Sequence, residues 1–244
     1  MSELAVVVVA SLATALATGL GALPLAGGKT FSRKWLGITG GITAGIMLAA
    51  SFRLINEGLR VGAYRTIAGI AAGALLIWFV QRFVKQDDEQ YFEDMAGGGR
   101  KALLVLGVMT LHSFAEGIGV GVSFGGTAGF GIFIAAAIAV HNIPEGIAIS
   151  LVMVPKGMPV WKAALYSIFS SLPQPLVAIP AYLFVTAFQP FLPVGLGIAA
   201  GAMIWMVVAE ILPDALCDME THQVAIAATL AAAAMVLMQV VLRV

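Results

Sequence analysis

The motif His-x-x-x-Glu-Gly occurs twice in this chain, and each copy lies within a long apolar segment. The first copy begins at His112 and includes Glu116, and the second begins at His141 and includes Glu145. An ionisable residue at the centre of a bilayer costs about 2.5–3.5 kcal/mol, so residues of this kind usually serve a function. Residues four apart share one helix face, and each histidine therefore projects beside its glutamate. Two such faces turned toward each other would form a pocket of two imidazoles and two carboxylates.

This set of ligands predicts a site for a divalent metal. Imidazole suits zinc and other late first-row metals, while carboxylate extends the choice toward iron, manganese and cadmium. The charge of a cation would also compensate two carboxylates that are otherwise buried without a partner. The alternative is two separate His–Glu contacts that join helices without metal, but the matched double pair favours a shared ion. His112 lies about 15 Å into its segment at 1.5 Å per residue, near the middle of a bilayer.

The composition is that of an integral membrane protein. Of the 244 residues, 60% are hydrophobic and only 11% are charged, and the mean hydropathy is +0.99. Soluble domains carry about 25% charged residues. The formal net charge is zero, which gives no support for a nucleic-acid partner. The single cysteine, Cys217, rules out an intramolecular disulfide, and we interpret it as a thiol near a helix end without a special role.

Eight segments are long and apolar enough to cross a membrane, which takes about 20 residues each. None shows the alternation of a transmembrane β-strand. The sequence therefore predicts an all-α protein with one transmembrane domain over residues 1–244. The predicted spans are Leu4–Ala26, Trp35–Leu54, Ala63–Val84, Ala102–Phe124, Gly126–Val154, Trp161–Phe188, Pro190–Leu212 and Gln223–Leu242.

The basic residues predict the orientation of these spans. Nine of the 13 lie in alternate connections, and an excess of Lys and Arg marks the cytoplasmic side. Both termini are therefore expected outside. The longest connection, at about residues 85–101, is then cytoplasmic. It is acidic, and we interpret it as a solvated loop, with a weak cation-collecting segment as the alternative.

Pairs of glycines four residues apart recur along the chain, and such pairs let helix backbones approach closely in lipid. They support a tightly packed bundle. Pro144 lies inside the second motif. Because proline has no backbone N–H, the carbonyl of Val140, four residues earlier, loses its helical hydrogen bond. That carbonyl could face the ion, or the proline could be an ordinary kink. The glycine pairs are Gly41 with Gly45, Gly69 with Gly73, Gly117 with Gly121, and Gly197 with Gly201.

The two motifs together, and in particular His-Asn-x-Pro-Glu-Gly in the fifth span, resemble those of the ZIP (Zrt/Irt-like) family of divalent-metal transporters, nearest its bacterial GufA-type branch. The resemblance covers essentially the whole chain, including the eight-span outline. It implies movement of zinc, iron, manganese or cadmium toward the cytosol by alternating access, with no prosthetic group. It also implies a place in the plasma membrane, the inner membrane of a bacterium, and a homodimer.

The resemblance also implies roles for individual residues. His112 and Glu116 match metal ligands of the family's fourth helix, and Glu145 matches the carboxylate ligand of the fifth. His141 falls where relatives have histidine or glutamine. Met47 matches a methionine that adds a thioether ligand in related bacterial members, although taken alone it would be a core methionine.

Some relatives hold a second, adjacent metal, and here the pattern departs from theirs. The matching positions carry Ser113, Asn142 and Gln174, with Gln174 in place of a glutamate. A hydroxyl and neutral amides are poor substitutes for carboxylates around a dication, so we expect one principal ion. Glu210 matches a glutamate on the family's exit path, although a helix-end carboxylate would also explain it. Four further residues follow Glu210 in the chain and could receive the ion, although a solvated loop would explain them equally well. They are Asp214, Asp218, Glu220 and His222.

A rival from another class is an intramembrane zinc metallohydrolase. A catalytic zinc has three protein ligands and an open position for water, and two histidines with a glutamate could supply them. The chain has no His-Glu-x-x-His motif, and no separate general base or serine accompanies the cluster. The sequence therefore predicts a transporter and not an enzyme.

Overall fold

The computed structural model describes residues 2–27, 33–91, 99–154 and 157–242, and within these ranges every regular element is helical. Short 3₁₀ turns precede α2 and α7, and a π-helical segment, Val207–Ile211, joins α7 to α8. The helices are α1 (Glu3–Leu20), α2 (Arg33–Tyr91), α3 (Gly99–Gly126), α4 (Ala128–Met153), α5 (Val160–Ser171), α6 (Pro173–Ala187), α7 (Leu192–Met206), α8 (Leu212–Asp218) and α9 (Thr221–Leu242).

Six stretches of the described chain are long and apolar enough to cross a membrane: Glu3–Ala26, Lys34–Phe79, Ala128–Leu151, Val160–Ala187, Gln189–Asp218 and Thr221–Val241. Many large apolar side chains on their outer surfaces are exposed, as on α9, where Val240 and Val241 are about 70% exposed. Apolar surface of this extent, on helices long enough to span a bilayer, is typical of a protein surrounded by lipid. The all-α fold and the membrane location predicted from composition are thus confirmed.

The second and third predicted spans lie on one helix, α2, which doubles back on itself. The backbone leaves helical geometry at Gly62. Gly58 lies before this point and Thr66 after it, and a Cβ placed at Gly58 would lie 2.7 Å from Thr66 Oγ1. Residues eight apart on a straight helix are separated by about 12 Å, so the two arms of α2 form a hairpin. The first arm carries Met47, and the second packs along α7.

The connection predicted at about residues 85–101 is helical at both of its ends. α2 continues to Tyr91 and α3 begins at Gly99, so the described part of this connection is helical. Charged residues alone do not end a helix, because Lys, Arg, Glu and Gln have good helix propensity. The acidic Glu93 and Asp94 lie outside the described residues.

Prolines break two of the predicted spans. The sixth span divides at Leu172 into α5 and α6, because Pro173 and Pro175 lack the amide hydrogens that would continue the helix. The seventh widens into the π-helical segment, in which the amide of Leu212 bonds to Val207, five residues back. Pro213 follows directly and donates no hydrogen bond. By contrast, α4 continues through Pro144.

The helices form two groups, and close glycine contacts lie within each group. In the first group, α1, α3, α4, α5 and α6 pack together; in the second, both arms of α2 pack with α7, α8 and α9. Gly117 and Gly121 bring α3 against α6. Between the groups, α3 packs on α7 and α4 on α2 mainly through side chains. One such contact places the guanidinium of Arg53, which also pairs with Glu57, 4.8 Å from the ring centre of Phe130.

The glycine contacts predict a sharp difference between two positions on α3. A Cβ at Gly121 would overlap the carbonyl oxygen of Ala178, whereas one at Gly119 would meet Ala199 at an ordinary 3.5 Å. We expect Gly121→Ala to destabilise the protein by about 1–3 kcal/mol through overpacking. Gly119→Ala should be neutral or stabilising, since alanine is the better helix former. Thermal unfolding in detergent compares the two variants, and equal unfolding temperatures would contradict the packing.

Candidate metal centre

Three of the four predicted ligands converge between α3 and α4. Glu116, His141 and Glu145 are all buried, and their ligand atoms lie within 4.8 Å of one another. His141 Nε2 is 2.7 Å from Glu116 Oε1. The i and i+4 spacing explains the position of Glu145, one turn beyond His141 on the same face of α4. One imidazole and two carboxylates are thus within reach of a single cation.

Glu145 is the residue of this cluster that most requires a cation. It is 5% exposed, and neither of its carboxylate oxygens has a hydrogen-bond partner among the described residues. A buried carboxylate without a partner is very costly, and it is normally paired with a charge or bound to a metal. Zinc accepts nitrogen and oxygen ligands of this kind. The donor set therefore fits a divalent ion.

His112, the fourth predicted ligand, faces Glu210. Its Nε2 lies 3.3 Å from Glu210 Oε2, and the histidine is buried. Glu210 occupies the π-helical segment, where one extra residue per turn changes the direction of a side chain relative to the α-helix on either side. His112 and Glu145 also line the same cavity. The structure thus places His112 between the three-residue cluster and the residue predicted for the exit path.

A chain of amides fixes the second oxygen of Glu116. Asn142 Nδ2 donates to the backbone carbonyl of Thr14, at 2.8 Å, and to Gln174 Oε1, at 3.1 Å. Because the Thr14 oxygen can only accept, the NH₂ group of Asn142 must face it, and Gln174 must present its own oxygen to Asn142. The NH₂ group of Gln174 is left to donate to Glu116 Oε2. Nothing in the residue pattern indicated that Thr14, on α1, anchors this chain of amides.

The position of Gln174 follows from the break between α5 and α6. The two prolines that flank it end one helix and begin the next, and Gly117 allows the Gln174 backbone to approach α3. Gln174 therefore occupies the place beside Glu116 where a second cation would need a carboxylate. Its two amide atoms are already hydrogen-bonded within the protein.

The remaining predicted residues are buried near the same helices. Met47 is fully buried in the main apolar core, on the first arm of α2, and its backbone oxygen accepts a hydrogen bond from Ser51. Ser113 is fully buried, and its hydroxyl has no hydrogen-bond partner among the described residues. Their roles as ligands stay predictions.

A cavity of about 460 Å³ leads away from the cluster. At one end it is lined by the buried side chains of His112 and Glu145, and at the other by the exposed Asp214 and Cys217. It therefore connects the buried site with the surface at the end of α8. The first arm of α2 forms its other wall, where Thr43 opens into it.

Comparison with known proteins identifies the family of this chain. The family model described as ZIP Zinc transporter matches residues 82–239, which include both motifs and Gln174. The chain belongs to the ZIP family. ZIP proteins are transporters embedded in membranes, so the hydrolase alternative is not favoured.

Individual ZIP relatives are similar over most of this chain. A protein of Arabidopsis thaliana named "Putative zinc transporter" is 51% identical over 229 residues, which are 92% of this chain and 37% of that protein. Zinc transporter GufA of Myxococcus xanthus is 31% identical over 84% of this chain and 87% of its own length. Zinc transporter ZIPB of Bordetella bronchiseptica is 32% identical over 81% of this chain and 69% of its own. The chain thus spans most of the bacterial relatives and about a third of the plant protein.

The amide chain predicts a structural role for Gln174 that is separate from metal binding. Gln174→Ala would leave Glu116 Oε2 without its donor and Asn142 without one of its acceptors. Each buried group left unsatisfied costs about 1–3 kcal/mol, so the unfolding temperature in metal-free detergent should fall clearly. The matched control is Gln189→Ala, at an exposed glutamine, which should change it little. Equal unfolding temperatures for the two variants would contradict the role of the amide chain.

Proposed function

We propose that this protein carries zinc across the membrane toward the cytoplasm, through a site formed by Glu116, His141 and Glu145. The observation that carries the proposal is the buried carboxylate of Glu145, whose two oxygens lack a protein partner beside an imidazole and a second carboxylate. The names of the bacterial relatives, which are zinc transporters, support zinc as the ion. Iron, manganese and cadmium are further candidates, because carboxylate ligands accept them.

His112 and Met47 are proposed to complete the ligand set. His112 borders the cavity beside Glu145, so a small rotation would move its Nε2 from Glu210 toward the ion. Met47 supplies a soft thioether from the second group of helices. Because Gln174 already bonds to Glu116 and Asn142, we propose one principal ion at this level, with Ser113 and Asn142 next to it.

The direction of transport is proposed from the cavity and the basic residues. The cavity leads from the site past Ile211 to Asp214 and Asp218, at the end that the positive-inside rule assigns to the cytoplasm. An ion leaving Glu145 would meet oxygen ligands and water along this route. We therefore propose that the described conformation is the one open toward the cytoplasm.

Alternating access is proposed to occur between the two groups of helices. Within each group, glycines bring backbones into contact, as Gly69 and Gly197 do for α2 and α7. Between the groups, the contacts are chiefly between side chains, which can exchange partners as the groups move. The ligands on α3 and α4 would then travel with the first group past the framework formed by α2, α7, α8 and α9.

The membrane topology is proposed as eight crossings of a single transmembrane domain, with both termini outside. The hairpin of α2 supplies two crossings within the single apolar helical stretch Lys34–Phe79, and α3 supplies another. The bacterial relatives support the plasma membrane, the inner membrane of a bacterium, as the location. A homodimer is proposed from the family resemblance, with lipid around its remaining surface.

The proposal predicts that Glu145→Ala abolishes both zinc binding and transport. A ligand at 100 times its Kd stabilises a protein by about 2.7 kcal/mol, so zinc should raise the unfolding temperature of the wild-type protein but not of this variant. Zinc uptake into proteoliposomes should be lost in Glu145→Ala and in His112→Ala. The control Glu3→Ala removes an exposed carboxylate at the start of α1, outside the proposed site. Uptake at the wild-type rate in Glu145→Ala would refute the site.

The topology predicts that Cys217 is reached only from the cytoplasmic side. It is the single cysteine of the chain and is exposed at the open end of the cavity. A membrane-impermeant maleimide should therefore label the protein in inverted vesicles and leave it unlabelled in intact cells. The Cys217→Ser variant controls for reaction at other groups. Labelling in intact cells would place this end outside and reverse the proposed orientation.

A further inference from the structure

An apolar groove runs between the two helix groups, on a side of the molecule that faces lipid. It lies where α4 meets α2 and α9, and its volume is about 530 Å³. Every residue that lines it is apolar, with alanine, valine, leucine, isoleucine and methionine side chains. We call it the α4–α9 groove. It is separate from the cavity that leads from the metal centre, because the two share no lining residue.

The depth of this groove comes from a separation between α4 and α9. Whereas α9 packs closely on α2, where a Cβ at Gly41 would lie 3.0 Å from the Cβ of Ala227, α4 makes few contacts with α9. The floor of the groove is buried, with Met235 only 4% exposed, while its rims are open, with Val140 50% and Leu230 65% exposed. Walls that face an empty space lose their dispersion contacts, so such a groove favours an occupant.

The dimensions of the groove fit a single hydrocarbon chain. Its lining residues run from Ile38 to Ile46 on α2 and from Ala227 to Met238 on α9, which is about 12 Å and about 16 Å at 1.5 Å per residue. Over that length, the volume corresponds to a mean cross-section of about 33–44 Å², whereas a helix about 10 Å across occupies about 80 Å². The groove is therefore too narrow for a helix of a second copy of the chain.

One end of the groove is level with the metal centre. Ile46 directly precedes Met47 on α2, and Val140 directly precedes His141 on α4. From this midplane level the groove extends along α2 back to Ile38, toward the end that the proposed topology places in the cytoplasm. The groove thus lies alongside one leaflet of the bilayer, which contributes about half of a hydrocarbon core of about 30 Å.

A lysine stands at the surface end of the groove. Lys34 lies four residues before Ile38, hence on the same ridge of α2, and its side chain is exposed. The neighbouring Trp35 is 55% exposed, as is common for an aromatic residue at the level of the headgroups. A lipid tail that lies in the groove would bring its headgroup to this lysine. Lysine at the cytoplasmic surface attracts anionic headgroups, so the charge here selects among lipids.

We propose that the α4–α9 groove binds one anionic phospholipid of the cytoplasmic leaflet, with an acyl chain between α4 and α9 and its phosphate beside Lys34. The acyl chain supplies the contacts that the apolar walls lack, which water could not do without polar partners. The lipid touches both helix groups, so it contacts the boundary between them. This inference goes beyond the proposed function, and only the assignment of the leaflet depends on the proposed orientation.

The test uses the purified full-length protein in detergent, with dioleoyl phosphatidylglycerol as the probe and native mass spectrometry to count the lipids that each chain retains. We expect one tightly retained molecule in the wild-type protein. Ala234→Trp fills the groove and should raise the lipid concentration needed by about tenfold or more, because many methylene groups lose their burial. The matched control is Ala233→Trp, which adds the same side chain at an exposed alanine outside the groove.

The headgroup is tested by comparing phosphatidylglycerol with phosphatidylcholine of the same acyl chains. Lys34→Gln should reduce the preference for the anionic lipid by about fivefold, the factor that one lysine near a headgroup contributes. Lys162→Gln is the control, since Lys162 is also an exposed lysine beside an exposed tryptophan, Trp161, but lies on α5 away from the groove. Equal effects of the two substitutions would overturn the assignment of the phosphate to Lys34.

A second variant keeps the test of the acyl chain independent of the folding of Ala234→Trp. Leu230→Trp fills the groove from its exposed rim and should act in the same way, with unfolding temperatures showing that each variant is folded. Equal lipid retention in the groove variants and in Ala233→Trp would overturn the proposal. So would a dimer mass that is lost only in the groove variants, which would assign the groove to a second copy of the chain. No zinc is added, so these outcomes are independent of the proposed metal site.

Discussion

The buried carboxylate of Glu116 is the constraint on which the rest of this structure depends. It is fully buried, and each of its oxygens has one partner, His141 for Oε1 and Gln174 for Oε2. An isolated carboxylate would be far too costly here, so α3, α4 and α6 must meet at fixed distances to supply those partners. The glycine contacts of Gly117 and the proline break before Gln174 are what allow the three backbones to come so close.

Within this frame, Glu116 and Glu145 are held differently although their motifs are the same. Glu116 is satisfied by the protein, whereas Glu145 has no hydrogen-bond partner among the described residues and borders the cavity. One carboxylate is thus oriented in advance and the other is available. A site with both properties can order its ligands before the ion arrives and still release it, which a transporter requires and a structural metal site does not.

Much of this arrangement could be predicted from the sequence, because charged residues in an apolar chain can be buried only where a hydrogen-bond partner, an opposite charge or a metal compensates them. The membrane class, the helical fold and the pairing of the two motifs all follow from hydrophobic length and the i, i+4 rule. The convergence of Glu116, His141 and Glu145 agrees with that reading, and so does the position of Gln174 beside Glu116. These features depend on local spacing and on strong energetic penalties.

Other features depend on contacts between distant residues, and the sequence did not reveal them. The two spans of α2 were predicted, but not that the helix continues between them except at Gly62, and a charged stretch that looked like a loop stays helical to Tyr91. Pro213 alone does not reveal the π-helical segment around Glu210, which can be recognised only when the helices on both sides of it are known. The anchor at Thr14 is a backbone carbonyl, which carries no signal in the residue type.

The contact between Arg53 and Phe130 has a further consequence for the resting balance of the molecule. It bridges the two helix groups at the end remote from the cavity, and such a contact contributes about 0.5–2 kcal/mol. Separating the two groups at that end would break this contact. A difference of about 1 kcal/mol favours one conformation by roughly fivefold. If the two groups move as proposed, loss of this single contact would shift the balance between their arrangements by about that factor.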